Sequence, residues 1–78
     1  MNKTYLKNLD EKFTEIYNFI YEHNNKVPGF RWMVESFDNY MKSDETFKRI
    51  ATDFAQYRHD CISSDREAAA FMFAIAEL

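Results

Sequence analysis

The side chains best suited to chemistry are one cysteine and two histidines, and the segment Arg58-His59-Asp60-Cys61 holds two of these three. A thiol beside an imidazole can act as a nucleophile with its base, or as two metal ligands. If this segment is helical, however, His59 and Cys61 are two positions apart and do not face each other. The other histidine, His23, lies in a different segment, and no second cysteine completes a zinc site. We therefore expect Cys61 to be a buried structural thiol and expect no metal ion or cofactor.

Thirteen acidic side chains raise the question of a paired general acid and base. Most of them fall on the polar faces or at the caps of the helices that the spacing predicts, where they are solvated. A glycine-rich loop that cradles phosphate is excluded because the chain has only 1 Gly. The sequence therefore predicts a protein that is not an enzyme and has no small-molecule substrate.

A group of basic side chains in the middle of the chain offers a different chemistry. Cations interleaved with aromatic rings can bind single-stranded nucleic acid. The four cations lie near two tyrosines, but acidic residues alternate with them and the formal net charge is -3. A nucleic-acid-associated regulator is thus the alternative function, not the expected one. The four basic residues are Lys42, Lys48, Arg49 and Arg58.

Five residues indicate a surface that binds a partner, namely Phe30, Arg31, Trp32, Met72 and Phe73. Trp and Arg are enriched at the energetic centres of protein interfaces. Trp32 either closes the end of the core or is exposed. Met72 and Phe73 widen the apolar surface of the last helix beyond a normal stripe, so that helix is either surrounded by the others or docked on a partner.

The helices that position these residues follow from apolar side chains at helical spacing. The first helix is predicted to begin after Asn8, an N-cap whose capping box is completed by Glu11, and residues 1–8 are expected to fray. The adjacent Pro28 and Gly29, which are the only residues of their types, predict a turn.

After that turn, a second helix is predicted over about residues 31–42. Residues 44–62 keep helical spacing and form either one helix or a short turn followed by a helix. Ser64 and Glu67 have the spacing of a capping box that begins the last helix. No sustained period-2 alternation occurs, so residues 1–78 are predicted to form a single all-α domain, a compact bundle of four to five short helices. The aromatic residues assigned to its core are Phe13, Tyr17, Phe37, Tyr40, Phe47, Phe54 and Phe71.

One part of the chain resembles a known family. Residues 44–47 read Asp-Glu-Thr-Phe and residues 53–54 read Asp-Phe, similar to the D-x-x-F-P-K…D-Y core of the YozE-type family of small bacterial proteins. Residues 16–20 and 70–78 resemble that family's opening and closing helices, so the resemblance covers about residues 13–78. Lys48 stands where the family has Pro, and Ile75 and Leu78 replace its Trp and Tyr. The resemblance implies a bundle like a sterile alpha motif (SAM-like) and no activity.

The remaining expectations concern location and function. The first residues carry no apolar run behind their lysines, so no signal peptide is predicted, and the longest uncharged stretch is too short to span a bilayer. A cytoplasmic protein with no membrane partner is expected. We predict a non-enzymatic protein-interaction module that binds another protein or itself. A narrower hypothesis is a small inhibitor or regulator of a host protein, of the type that phages and mobile elements encode.

Overall fold

The computed structural model describes residues 2–78, and these form four α-helices, as the apolar spacing predicts. The helices are α1 (Lys3–Glu22), α2 (Phe30–Ser43), α3 (Glu45–Arg58) and α4 (Asp65–Glu77). No strand occurs among the described residues. Within the same residues, no helix is both long and apolar enough to cross a membrane. Met1, the first residue of the segment expected to fray, lies outside the described residues.

Helix α1 begins earlier than the sequence pattern predicts. Its N-cap is Asn2, whose side-chain oxygen accepts hydrogen bonds from the backbone N–H groups of Thr4, at 2.6 Å, and Tyr5, at 3.4 Å. The prediction of an N-cap at Asn8 is wrong, and so is the expectation that residues 3–8 fray. The reason is tertiary: the added turns place Leu6 in the core, where it is 6% exposed, and burying a leucine side chain stabilises the fold by about 1.5–3 kcal/mol.

A turn separates α1 from α2 at the predicted place. Asn24 and Asn25 have φ angles of 52° and 66°, and Gly29 has a φ of 80°. Asparagine tolerates this left-handed region better than most residues do, and glycine adopts it without steric cost. The chain therefore ends α1 and turns towards the start of α2 without strained side chains.

The segment 44–62, for which one or two helices were open, contains one helix followed by an irregular stretch. Asp44 caps α3, because its carboxylate accepts a hydrogen bond from the Phe47 N–H at 3.0 Å. The helix ends at Arg58, and the next residue, His59, has a left-handed φ of 58°. The helical spacing that continues to Cys61 in the sequence is therefore not realised in the structure.

Helix α4 packs between α1 and α2. Arg66, near its start, donates from Nε to Oδ1 of Asn25 at 2.8 Å, whereas Glu77, at its end, lies 3.7 Å from the ammonium of Lys12. Asn25 follows the end of α1 and Lys12 lies in its middle, so α1 and α4 run antiparallel. The alanines that face the neighbouring helices let the backbones approach closely, and these residues are Ala68, Ala69, Ala70 and Ala74, all buried. The structure therefore shows α4 packed against α1 and α2 through its alanine side, while Met72 and Phe73 stay half-buried.

A connected set of phenylalanine rings joins all four helices. Phe71 of α4 is fully buried, and its ring centroid lies 5.2 Å from that of Phe54 and 5.6 Å from that of Phe47, both on α3. Phe37 of α2 lies 5.9 Å from Phe71, and Phe13 of α1 lies 5.2 Å from Phe54. Three of these four pairs are edge-to-face, a geometry that aromatic rings prefer.

The capping box predicted for α4 is confirmed. The Ser64 hydroxyl accepts a hydrogen bond from the Glu67 N–H at 3.1 Å, and the Glu67 carboxylate accepts one from the Ser64 N–H at 3.1 Å. Partial burial raises the pKa of Glu67, but hydrogen bonds donated by the backbone N–H and hydroxyl groups of Ser63 and Ser64 outweigh that effect and lower this pKa below its ordinary value.

We expect Glu67→Ala to lower the free energy of unfolding by about 1 kcal/mol at neutral pH, since it removes half of the box. A carboxyl whose pKa is lowered by folding stabilises the protein above its unfolded-state pKa. The difference between wild type and variant should therefore shrink as the pH falls through the pKa of folded Glu67. Urea unfolding at several pH values measures this, with Glu11→Ala as an exposed glutamate control. An unchanged difference in acid would contradict the assignment.

Candidate protein-interaction surface

Phe30, the first of the five predicted interface residues, belongs to the core. It is only 8% exposed, so its assignment to a binding surface is wrong. Because α2 begins at Phe30, this ring shares one helical face with Val34 and Phe37, four and seven positions later. Both of those residues pack against the core. The face that carries Phe30 therefore points inward.

Trp32 lies on the opposite side of the same helix and is the most exposed large apolar side chain among the described residues, at 69%. Within residues 2–78 its ring makes no hydrogen bond and no contact with another ring. It lines a shallow depression of about 260 Å³. We name the surface formed by the residues of this depression the α2 outer face. The other residues of this face are Glu35, Ser36, Asn39, Tyr40 and Ser43.

Tyr40, which the spacing assigns to the core, is 46% exposed. Its ring centroid lies 5.2 Å from that of the buried Phe47, with the planes tilted by 31°. One side of the ring therefore rests on the core while the other belongs to the α2 outer face. A tyrosine fixed in this way adds apolar area to a surface at little cost in side-chain entropy.

Arg31, although it precedes Trp32, has a different role, because its side chain links α2 to α4. Its Nη1 lies 3.3 Å from Oδ2 of Asp65 in the first turn of α4. Both side chains are more than half exposed, and ion pairs of this kind contribute about 0–1 kcal/mol. Arg31 is thus accessible but already has a carboxylate partner.

Met72 and Phe73 are half-buried and pack against the core. The Phe73 ring lies beneath the turn before α2, since a Cβ added at Gly29 would be 3.9 Å from its Cζ. Phe73 and Trp32 line different depressions that share no residue. The structure therefore does not unite the five predicted residues in one surface.

The depression that Phe73 lines is a second surface feature, which we name the α1–α4 groove. It has a volume of about 450 Å³. Sequence reasoning missed its most exposed aromatic residue, Phe19, which is 53% exposed. The signal was available, because Phe19 falls outside the apolar stripe of α1. The lining residues are Ile16, Phe19, Val27, Pro28 and Phe73, with Glu15, Glu22 and Glu77.

The basic residues proposed for nucleic acid do not form an open patch. Three of the four are paired with carboxylates, and Arg58 is further held over the ring of Phe13, at 4.4 Å. A cation that is already paired with a carboxylate neutralises less phosphate charge, so fewer counterions leave the nucleic acid and the main source of such affinity is weaker. The pairs are Lys42 with Asp38 at 2.9 Å, Lys48 with Glu45 at 3.0 Å, and Arg58 with Asp10 at 3.1 Å.

Cys61 is exposed, so the prediction of a buried thiol is wrong. The prediction assumed a helix through this residue, but α3 ends at Arg58 and the helical phase does not extend to position 61. Cys61 and His59 line one open depression beside the end of α3. In the part of the chain that the structure describes, no three metal-ligating side chains come together.

Comparison of the chain with protein-family models finds no match, and comparisons with curated proteins and with solved structures find none either. The resemblance to the YozE-type family, and the SAM-like arrangement that it implies, therefore stay predictions made from residue spacing. The all-helical bundle itself rests on the structure.

Proposed function

We propose that this protein is a non-enzymatic protein-interaction module that contacts its partner through the α2 outer face. The observation that supports the proposal is the exposure of Trp32, 69%, on a helix whose opposite side packs against the core. The fold gains almost nothing from the exposed part of this ring. A partner that covered it would gain the transfer free energy that folding leaves unused.

The magnitude of that gain is large for a single residue. A tryptophan side chain buries about 150–250 Å², so the exposed 69% of Trp32 corresponds to roughly 140 Å². At about 25 cal/mol per Å², covering it is worth roughly 3.5 kcal/mol before the costs of association. Tyr40 extends the apolar centre, and Glu35, Asn39 and Ser43 form a polar margin. An aromatic centre with a polar rim is the usual composition of a protein interface.

The test begins with affinity capture from extracts of the source cell, followed by binding measurements with the purified captured protein. Trp32→Ala should weaken that binding at least tenfold, while Tyr21→Ala serves as a control. Tyr21 is comparably exposed, at 61%, but lies on α1. Because its ring is not buried, Trp32→Ala should keep the wild-type free energy of unfolding within about 0.5 kcal/mol. Tyr21→Ala should lower it by at most about 1 kcal/mol, since the Arg66 guanidinium lies 4.8 Å from the centroid of the Tyr21 ring.

Two results would contradict the proposal. The first is a captured protein that binds wild type and Trp32→Ala with equal affinity. The second is a wild-type protein that captures nothing beyond what the Trp32→Ala variant captures, and that also stays monomeric in sedimentation equilibrium at high concentration. Self-association that is lost in Trp32→Ala but kept in Tyr21→Ala would support the proposal, with a second copy as the partner.

A further inference from the structure

The α1–α4 groove combines an apolar floor with a carboxylate rim, and nothing assigned so far uses it. The floor consists of side chains from α1, from the turn and from α4, including Phe19, which is 53% exposed. Its volume of about 450 Å³ falls within the range of about 300–1,000 Å³ that is typical of ligand pockets. The floor can therefore receive one bulky apolar side chain.

The rim of the groove carries more negative than positive charge. Glu15, Glu22 and Glu77 line it. Within the described residues, Lys12 is the one cation paired with them, at 3.6 Å from Glu15 and 3.7 Å from Glu77. Among residues 2–78, Glu22 has no ion-pair or hydrogen-bond partner. Three carboxylates and one ammonium leave a formal charge of −2. Lys26 is not counted because, although it precedes Val27, it does not line the groove.

The ends of two helices add to this negative potential. Glu22 is the last residue of α1 and Glu77 is the last residue of α4, and neither helix has a basic residue in its last turn. The C-terminus of a helix carries roughly half a negative charge, so a carboxylate there is unfavourable and a cation is favourable. A cationic ligand would therefore interact with a carboxylate and with the negative end of a helix at each of these two positions.

We propose that the α1–α4 groove binds a peptide segment of a partner protein in which a bulky apolar side chain is flanked by Arg or Lys. The apolar side chain contacts Phe19, Ile16 and Phe73, and the flanking cations pair with Glu22 and Glu77. This site is separate from the α2 outer face and does not depend on it. Charge complementarity disfavours an acidic peptide at the same place.

The proposal can be tested without knowing the partner, by titrating the ¹⁵N-labelled full chain with synthetic hexapeptides. The probe is Ala-Arg-Phe-Leu-Arg-Ala, and its counterparts are Ala-Glu-Phe-Leu-Glu-Ala and Ala-Arg-Ser-Ser-Arg-Ala. NMR detects dissociation constants in the region of about 1 mM, equivalent to about −4 kcal/mol. Only the first peptide should shift the amide resonances of Ile16, Phe19 and Val27, and it should leave those of Trp32 and Tyr40 unchanged.

Variants then locate the binding energy. The double variant Glu22→Gln/Glu77→Gln should weaken binding of the probe by about tenfold, as two exposed ion pairs can supply. Its control is Glu11→Gln/Glu45→Gln, which makes the same charge change outside the groove and should alter binding by less than about twofold. Phe19→Ala should also weaken binding, by about tenfold, because it removes part of the apolar floor of the groove while leaving the buried core intact.

Four outcomes would overturn the proposal. They are no shift with the Arg-containing probe, equal binding of the Glu-containing peptide, full binding by Glu22→Gln/Glu77→Gln, and groove resonances that shift with protein concentration alone. The last would show that a second copy of the chain occupies the groove. Trp32→Ala should bind the probe as wild type does, so failure of this proposal and failure of the α2 outer face as a partner site are distinguishable.

Discussion

Phe71→Ala is expected to lower the free energy of unfolding by about 3–5 kcal/mol, the largest effect of any single truncation in this chain. Phe71 is 0% exposed, and its ring contacts Phe37, Phe47 and Phe54. Truncation would remove the transfer free energy of the ring and leave a cavity where α2, α3 and α4 meet. A domain of this length has a total stability of about 4–12 kcal/mol, so the variant should be close to unfolding.

Urea unfolding followed by circular dichroism measures this change. Phe19→Ala is the matched control, because it makes the same chemical change on a side chain that is 53% exposed. We expect it to change the free energy of unfolding by less than about 1 kcal/mol. A loss of less than about 1.5 kcal/mol for Phe71→Ala would mean that α2, α3 and α4 do not converge on this ring.

Ala74→Leu is expected to lower the free energy of unfolding by about 1–3 kcal/mol, because it adds a large side chain where the structure has no space. Ala74 is 0% exposed and belongs to the row of alanines through which α4 packs against its neighbours. Additional methyl and methylene groups would push the helices apart or force unfavourable rotamers.

The control for this second prediction lies on the same helix. Ala76 is exposed, so Ala76→Leu makes the identical change with nothing to displace. It should alter the free energy of unfolding, measured by urea unfolding of both variants, by less than about 0.5 kcal/mol. Equal effects of the two variants would contradict the central position of α4. A stabilising Ala74→Leu would do so more strongly, since it would reveal an unfilled space.

The central position of α4 changes what its composition means. A helix that is apolar on nearly all sides can serve either a core or a partner. Here four alanines and Phe71 are buried, whereas Met72 and Phe73 are half-buried. Phe73 contributes to the α1–α4 groove, and the other proposed binding surface lies on α2. There Trp32 remains uncovered, with the tyrosine eight positions later on the same face.

Local signals in the sequence predicted the helices, the turn and one cap. Three signals did this: the apolar period of α1, the Pro28–Gly29 pair and the Ser64–Glu67 box. Each is contained within one helix or one helix boundary, so it does not depend on the rest of the chain. The same kind of signal failed at the start of α1. The sequence placed the N-cap at Asn8, whereas the helix begins after Asn2, because the earlier start buries Leu6.

By itself, then, the sequence determined that this protein is an all-α bundle with a boundary at residues 28–29 and a capped last helix. Only the tertiary structure decided which apolar residues are covered. It buries Phe30, exposes Trp32 and Cys61, and brings Phe19 and Phe73, distant in the chain, into one groove. The physical reason is that caps and turns depend on neighbouring residues, whereas burial depends on helices that meet only after the chain has folded.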